Sequence, residues 1–258
     1  ALTGLRPSGT SVRGSSLATM LAYLLGESEP IPNLVAGLSS FNVSHPLWAS
    51  GLPTSSIEDL YTALSPPDLR LDDGQRDALE AFFTKQEDRI RTALESDVYG
   101  NRRIARSLID QDIAVHFDID STDGEMPGLL EHFADATGTI RESGYMGLMA
   151  AQALTKGISR CVTIKVADRL DSHQGSSWQT EHGPQMRDGF DTIANLASYL
   201  QATPFFDDAS DNWLNHTTIV CFSEFGRGPK LNSQEGRDHS LINAMLMLGG
   251  DIVGGQVI

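Results

Sequence analysis

The sequence predicts an α/β fold, a mainly parallel sheet flanked by helices, and three observations carry that expectation. From residue 138 onward, helical and strand-like segments alternate: helical spacing over 140–157, strand-like over 162–167, helical over 184–200, β-branched over 217–222. That order favours parallel strands joined by helical crossovers. The strand-like segments end in charged loops, and ligand sites of open α/β sheets lie beyond the carboxyl ends of strands. With 258 residues, 40% of them hydrophobic and 21% charged, the chain can bury a substantial core as one domain spanning residues 1–258.

Each element follows from local pattern. Over residues 11–25, Leu17, Met20, Leu21, Leu24 and Leu25 recur at helical spacing, and Gly26 is a stop signal. Residues 31–38 form a short apolar run after two prolines and read as a strand, whereas 41–53 read as loop. Residues 57–64 read as a helix ended by Pro66 and Pro67. Residues 72–95 predict a long helix with Asp72 at its start and Leu79, Phe82, Phe83, Ile90 and Leu94 as its apolar stripe. A further helix is expected over 102–115, so that about 54–135 forms a mainly helical insertion. In 116–125 the carboxylates Asp118 and Asp120 suit a calcium loop, but Gly124 comes one place late and Leu129 stands where Glu is needed. An exposed acidic turn is expected there. Met146, Met149, Ala150 and Leu154 mark the buried face of the 140–157 helix, and Met186, Phe190, Ile193, Leu196 and Ala197 that of the 184–200 helix. Residues 242–248 form a last apolar run.

The net charge of -15 makes nucleic acid and anionic membranes poor partners. No apolar run reaches the ~20 residues of a membrane span. Cys161 and Cys221 each sit in a strand-like run and read as buried free thiols, with a disulfide left open if the strands are neighbours. The chain begins without Met and ends inside a glycine-rich pattern, so a fragment or processed piece is expected.

The chemistry is sought just past the strands. After 162–167 come Asp171 and His173; after 217–222 come Glu224 and Arg227; before 242–248 come Arg237, Asp238 and His239. Three loops thus direct three carboxylates and two imidazoles toward one edge, and these are ligands for divalent metals. In D-x-H the two side chains point the same way on an extended backbone. Each residue also has a plain structural reading: Asp171 as a loop cap, His173 as an exposed histidine, Glu224 as an ion-pair partner of Arg227, and Asp238–His239 as the start of the next element. His182 reads as loop surface, near enough for an outer ligand. His45, His116, His132 and His216 lack a carboxylate in a strand-end position and read as structural. Phosphate-loop, H-E-x-x-H, C-x-x-C and G-x-S-x-G motifs are absent from the sequence.

The stretch EFGRGPKLNSQEGRDHS (224–240) resembles the E-F-G-R-T-P…N…G-R-D-H signature of the domain-of-unknown-function family 1501, and LDSH (170–173) resembles its W-D-T-H element. GGDIVGGQVI (249–258) resembles its glycine-rich tail, and ALTGLRPSGT (1–10) is similar to the T-G-x-x-P-x-x-x-G element of sulfatase-like enzymes. The resemblance implies bacterial proteins, often exported by the twin-arginine pathway, within the alkaline phosphatase and sulfatase superfamily. It therefore implies an alkaline phosphatase-like fold, here truncated at both ends, and a periplasmic or extracellular location. It implies that Asp171, His173, Glu224, Asp238 and His239 occupy metal positions for zinc, manganese or calcium. Arg227 or Arg237 would hold the anionic oxygens of a phosphate or sulfate ester bidentately. The superfamily's nucleophile is expected upstream of Ala1. Phosphatases often have Asp-His where this chain has Glu224-Phe225, so two expectations stand: a metal-dependent hydrolase of such esters, or a non-catalytic exported binding or assembly protein that keeps the fold.

Overall fold

The computed structural model describes residues 12–65, 71–90, 92–175, 178–250 and 252–255. The element at 1–10 that resembles sulfatase-like enzymes lies outside them. The order is α1 (Leu17–Leu25), β1 (Leu34–Ala36), β2 (Leu52–Thr54), α2 (Ile57–Leu64), α3 (Asp73–Glu87), α4 (Ala93–Asp110), α5 (Met126–Phe133), α6 (Glu142–Thr155), β3 (Val162–Ile164) and α7 (Gly183–Ala202). Six further strands follow: β4 (Pro204–Phe205), β5 (Asp208–Asn212), β6 (Thr218–Phe222), β7 (Gly226–Arg227), β8 (His239–Ser240) and β9 (Met245–Gly249). The chain is mixed α/β, with seven α-helices among the described residues.

Local chemistry fixes the helix ends. The Ser56 side chain accepts from the Asp59 amide at the start of α2, and Glu58 and Asp59 sit in the first turn, where the helix dipole favours negative charge. Asp72 and Gln75 form a reciprocal capping box on α3. Pro127 and Pro184 stand in the first turns of α5 and α7, where a missing N–H costs nothing. In α2 the buried residues are Ile57, Leu60 and Leu64, one stripe facing the core.

The helix α6 is buried nearly all round and is the centre of the core: Met146, Leu148, Met149, Ala150 and Ala151 are each sealed from solvent. Burying side chains such as Leu148 and Met149 contributes about 1.5–3 kcal/mol each. Around them lie Phe117, Leu129, Phe133, Leu196 and Leu200. Beside α6 runs a parallel sheet in the order β2-β1-β3, with Leu34 opposite both Leu52 and Val162. Its central strand β1 is buried along its length.

Several expectations are corrected. Among the described residues, parallel pairing is confined to β1, β2 and β3; β4–β5, β6–β9 and β7–β8 are antiparallel. The chain between β6 and β9 carries only β7, β8 and loop, with no helical crossover, and a strand returning that way pairs antiparallel. β6 is not a buried strand, since Val220 and Phe222 are exposed, as are Met245, Leu246 and Met247 on β9. Helix α1 begins later than its pattern predicts and turns Thr19 and Ala22 inward, leaving Leu17, Met20, Leu21, Leu24 and Leu25 exposed. The helix expected over 72–95 is two helices, with Leu79 and Phe82 exposed on the first. In α7, Ile193 and Leu196 face the core as expected, whereas Phe190 is exposed. Cys161 and Cys221 are both free thiols; Cys161 is buried, Cys221 half-buried. Burial pushes the Cys161 thiol up to about 11.

Candidate functional site

Past β3 the chain turns tightly at Asp171, where the Ser172 amide donates to the Leu170 carbonyl at 3.0 Å. Ser172 is fully buried while Asp171 and His173, on either side of it, are exposed. Asp171 Oδ1 accepts a hydrogen bond from His173 Nδ1 at 2.6 Å. A carboxylate has no proton to give, so Nδ1 carries it and Nε2 is left for another partner. Behind the pair, the Ser172 hydroxyl lies 3.2 Å from His182 Nδ1 on the π-helical turn Trp178–His182.

The second wall is the excursion between β7 and β8. Arg227 stands opposite His239 in that two-strand ladder. Asn232 closes the loop between them. Its Oδ1 accepts from the amides of Gln234 and Gly236 at 2.9 and 3.0 Å, the turn geometry Asn favours. Its Nδ2 donates to the His173 carbonyl at 2.9 Å and to Asp238 Oδ1 at 2.7 Å. The Arg237 amide donates to the Ser172 carbonyl at 2.9 Å, and the Gly175 amide to the Gln234 carbonyl at 2.8 Å. Gly236 is required at this crossing, because a Cβ there would overlap the backbone carbon and oxygen of His173.

The two arginines differ in what they hold. The Arg227 side chain is only 10% exposed; it donates to Asp171 Oδ1 at 2.6 Å and to the Arg237 carbonyl at 2.8 Å. The Arg227 guanidinium, and then the His173 imidazole, hold the Asp171 carboxyl below the usual carboxylate range. The Arg237 guanidinium lies 4.3 Å over the Trp178 ring. His182 is pushed below its ordinary value by burial and by the Arg227 charge, with a smaller effect of Arg237. The His239 ring stacks on Phe225, 3.8 Å between centroids.

Asp171, His173, Arg227, Arg237 and Asp238 are thus joined by direct contacts or through Asn232, and His239 lies opposite Arg227. Glu224 is exposed just past β6, and among the described residues it makes no ion pair; Arg227 pairs with Asp171 instead. The metal implied by the resemblance can be set against this geometry. Among the described residues no three His, Cys, Asp or Glu side chains stand close enough together to hold an ion. Two of the donors are nonetheless of kinds that bind metals. A histidine whose Nδ1 is engaged by a carboxylate presents Nε2 as metal-binding histidines do, and Asp238 keeps one oxygen beyond its bond to Asn232.

Ser172 and Trp178 are residues that the sequence did not single out, and Asn232 enters it only as the N of the family signature. Asn232 had a signal, an Asn followed four residues on by Gly in a loop. Ser172 and Trp178 had none, because their partners are distant in the chain.

Residues 38–258 match the family described as "Protein of unknown function (DUF1501)". No curated protein and no solved structure gives a match. No described helix is long and apolar enough to cross a membrane.

Proposed function

The chain belongs to the DUF1501 family, and on that premise we propose that it is a metal-dependent hydrolase of phosphate or sulfate esters. Its fold is then an alkaline phosphatase-like α/β architecture, and its setting is periplasmic or extracellular after twin-arginine export, away from nucleic acid. One observation supports the reading: the loop after β3 and the loop before β8 are laced together at Asn232, which bonds both the His173 carbonyl and the Asp238 carboxylate. A divalent ion, zinc, manganese or calcium, would be held by Asp171, His173, Asp238 and His239, with Glu224 as a further ligand from the rim. When bound, such an ion neutralises charge on the transferring group and lowers the pKa of its nucleophile. The chain's own part is to fix the His173 tautomer through Asp171, and to offer guanidinium charge from Arg227 and Arg237 to the anionic oxygens.

The test is elemental analysis of the purified protein, followed by assays with an aryl phosphate and an aryl sulfate. Bound metal with turnover supports the hydrolase, and turnover that survives removal of all metal contradicts it. A second reading has its own support: Arg227 is spent on Asp171 and on a backbone carbonyl, and Glu224 stands apart. On that reading the protein is an exported binding or assembly protein that keeps an ion, and metal without turnover is its signature.

A further inference from the structure

Helix α1 is built the wrong way round for a helix covered only by its own chain. Its sequence, LATMLAYLL, carries no charge. The residues it buries are small, Thr19 and Ala22, while Leu17, Met20, Leu21, Tyr23, Leu24 and Leu25 all face solvent, Leu24 at 70%. Polar bonds set this phase. Thr19 Oγ1 lies 3.2 Å from Ser40 Oγ and accepts from Asn33 Nδ2 at 3.4 Å. The Phe41 and Val43 amides donate to the Ser16 and Ser15 hydroxyls at 2.9 and 3.0 Å. Thr19, Asn33, Ser15 and Ser16 are buried, so turning the leucines inward would leave these groups unpaired, which is expensive.

The outer face is wide and held still. The turn Leu47–Ala49 packs beside α1, and exposed Val43 and Leu47 extend the face. The Tyr23 ring stacks on Trp48 at 5.9 Å and meets the His45 ring at 4.9 Å. Eight large apolar side chains, each about half exposed, offer on the order of 700 Å². A standard interface takes ~800 Å² from each partner, and the largest patch of a typical monomer is ~300–600 Å². Two features point to a second copy as the occupant. The stripe 17, 20, 21, 24 is the i, i+3, i+4, i+7 seam by which one helix packs on another. From residue 12 to 28 the only charges are Arg13 and Glu27, both exposed and each seven residues from Met20. An antiparallel pair with its two-fold axis beside Met20 lays Leu17 against the partner's Leu24 and sets each Arg13 at the end where the partner's Glu27 stands. In a chain of net charge -15, this helix face brings no like charges together.

We propose that the outer face of α1, with Val43 and Leu47, is a self-association surface. Two copies of this chain pair through it about a two-fold axis beside Met20, with the α1 helices antiparallel and an Arg13–Glu27 ion pair at each end. Met20, Leu17 and Leu24 form the desolvated centre, and Tyr23, braced by Trp48, flanks it. The pairing goes beyond the hydrolase reading and does not rest on it.

The experiment is sedimentation velocity of the purified protein over a wide range of concentrations at low salt. A monomer–dimer equilibrium is expected. Met20→Glu sets two carboxylates against each other at the axis and should weaken dimerisation about tenfold or more. Leu24→Glu should act alike, and it stands in if the Met20 variant fails to fold. Arg13→Glu should weaken the dimer roughly threefold or more, and Glu27→Arg added to it should restore the affinity, since the swapped charges attract again. Met245→Glu, on the exposed apolar strand β9, should leave the equilibrium within about twofold. A monomer at every concentration overturns the pairing, including a monomer that binds phosphatidylcholine vesicles instead. So does a dimer untouched by both glutamate variants of α1, or one lost equally in Met245→Glu. Failure of Glu27→Arg to restore the Arg13→Glu dimer overturns the antiparallel arrangement.

Discussion

Two Asp–His pairs in this chain share a geometry and differ in everything around it. Asp171–His173 and Asp211–His216 each close at 2.6 Å. The second is local. Asp211 also accepts from Asn215 at 2.8 Å, and the His216 ring stacks on Phe205 at 3.7 Å, so the pair secures the β4–β5 hairpin to the turn that follows it. The first is assembled from afar. Arg227, 56 residues away, shares its carboxylate, and Asn232, 59 residues away, holds the His173 carbonyl. An Asp–His bond therefore identifies nothing by itself. What separates a candidate site from a structural clasp is how many distant segments have been brought to meet it.

The strongest way to break that contrast is Gly236→Ala. The added Cβ collides with the His173 backbone, so the two loops must part. A loss of stability on the order of 2–3 kcal/mol is expected, with loss of metal binding. Denaturant melts and metal titration check both; an unperturbed variant would mean that the crossing is not needed. Next in size is Asp171→Ala against Asp211→Ala. The first should lower metal affinity by roughly 10–100-fold and the second leave it unchanged, because only Asp171 lies on the crossing. Equal effects in calorimetry would erase the distinction.

Smaller effects sharpen it. His216→Ala frees Asp211 and Phe205, and a Tm lowered by about 1–3 °C with metal affinity intact is expected from calorimetric scans. The least effect is that of acid. Hydrogen bonds from His216, and then Asn215, pull the Asp211 carboxyl down to about 2. Its folded value is depressed, so its contribution to stability is present above the ordinary carboxylate range and is lost as pH falls toward about 2. Asp171 is depressed too and has the same sign. Asp171 is exposed and Asp211 half-buried on the surface, so the loss should be slight and should shrink in high salt. NMR titration of the two carboxyls checks it, and values in the ordinary range would contradict it.

How much of this the sequence discloses depends on whether the signal is local. Helix α6 is legible because its apolar residues keep the helical period, and α2 because Ser56 and the following acids mark its start. Strand β2 is hidden by Pro53, which reads as loop, yet β2 is an edge strand, where proline is tolerated. The antiparallel return of β9 is invisible to periodicity, which carries no direction; the missing helical crossover between residues 222 and 245 was the available clue. At the site, Asp171 and His173 are legible as D-x-H because they flank one buried residue, Ser172, and so share the exposed side. The engagement of Arg227 by Asp171, the burial of Ser172 under His182 and the twofold grip of Asn232 are not, since each depends on where distant loops fold.

The central claim is that Asp171 and His173 share an ion with Asp238 and His239, and the most direct test is a metal titration of the stripped protein with zinc, manganese and calcium. The account predicts saturable binding of at least one ion, abolished or greatly weakened in His239→Ala and retained in His45→Ala. Binding that survives His239→Ala, or that falls equally in the two variants, would contradict it.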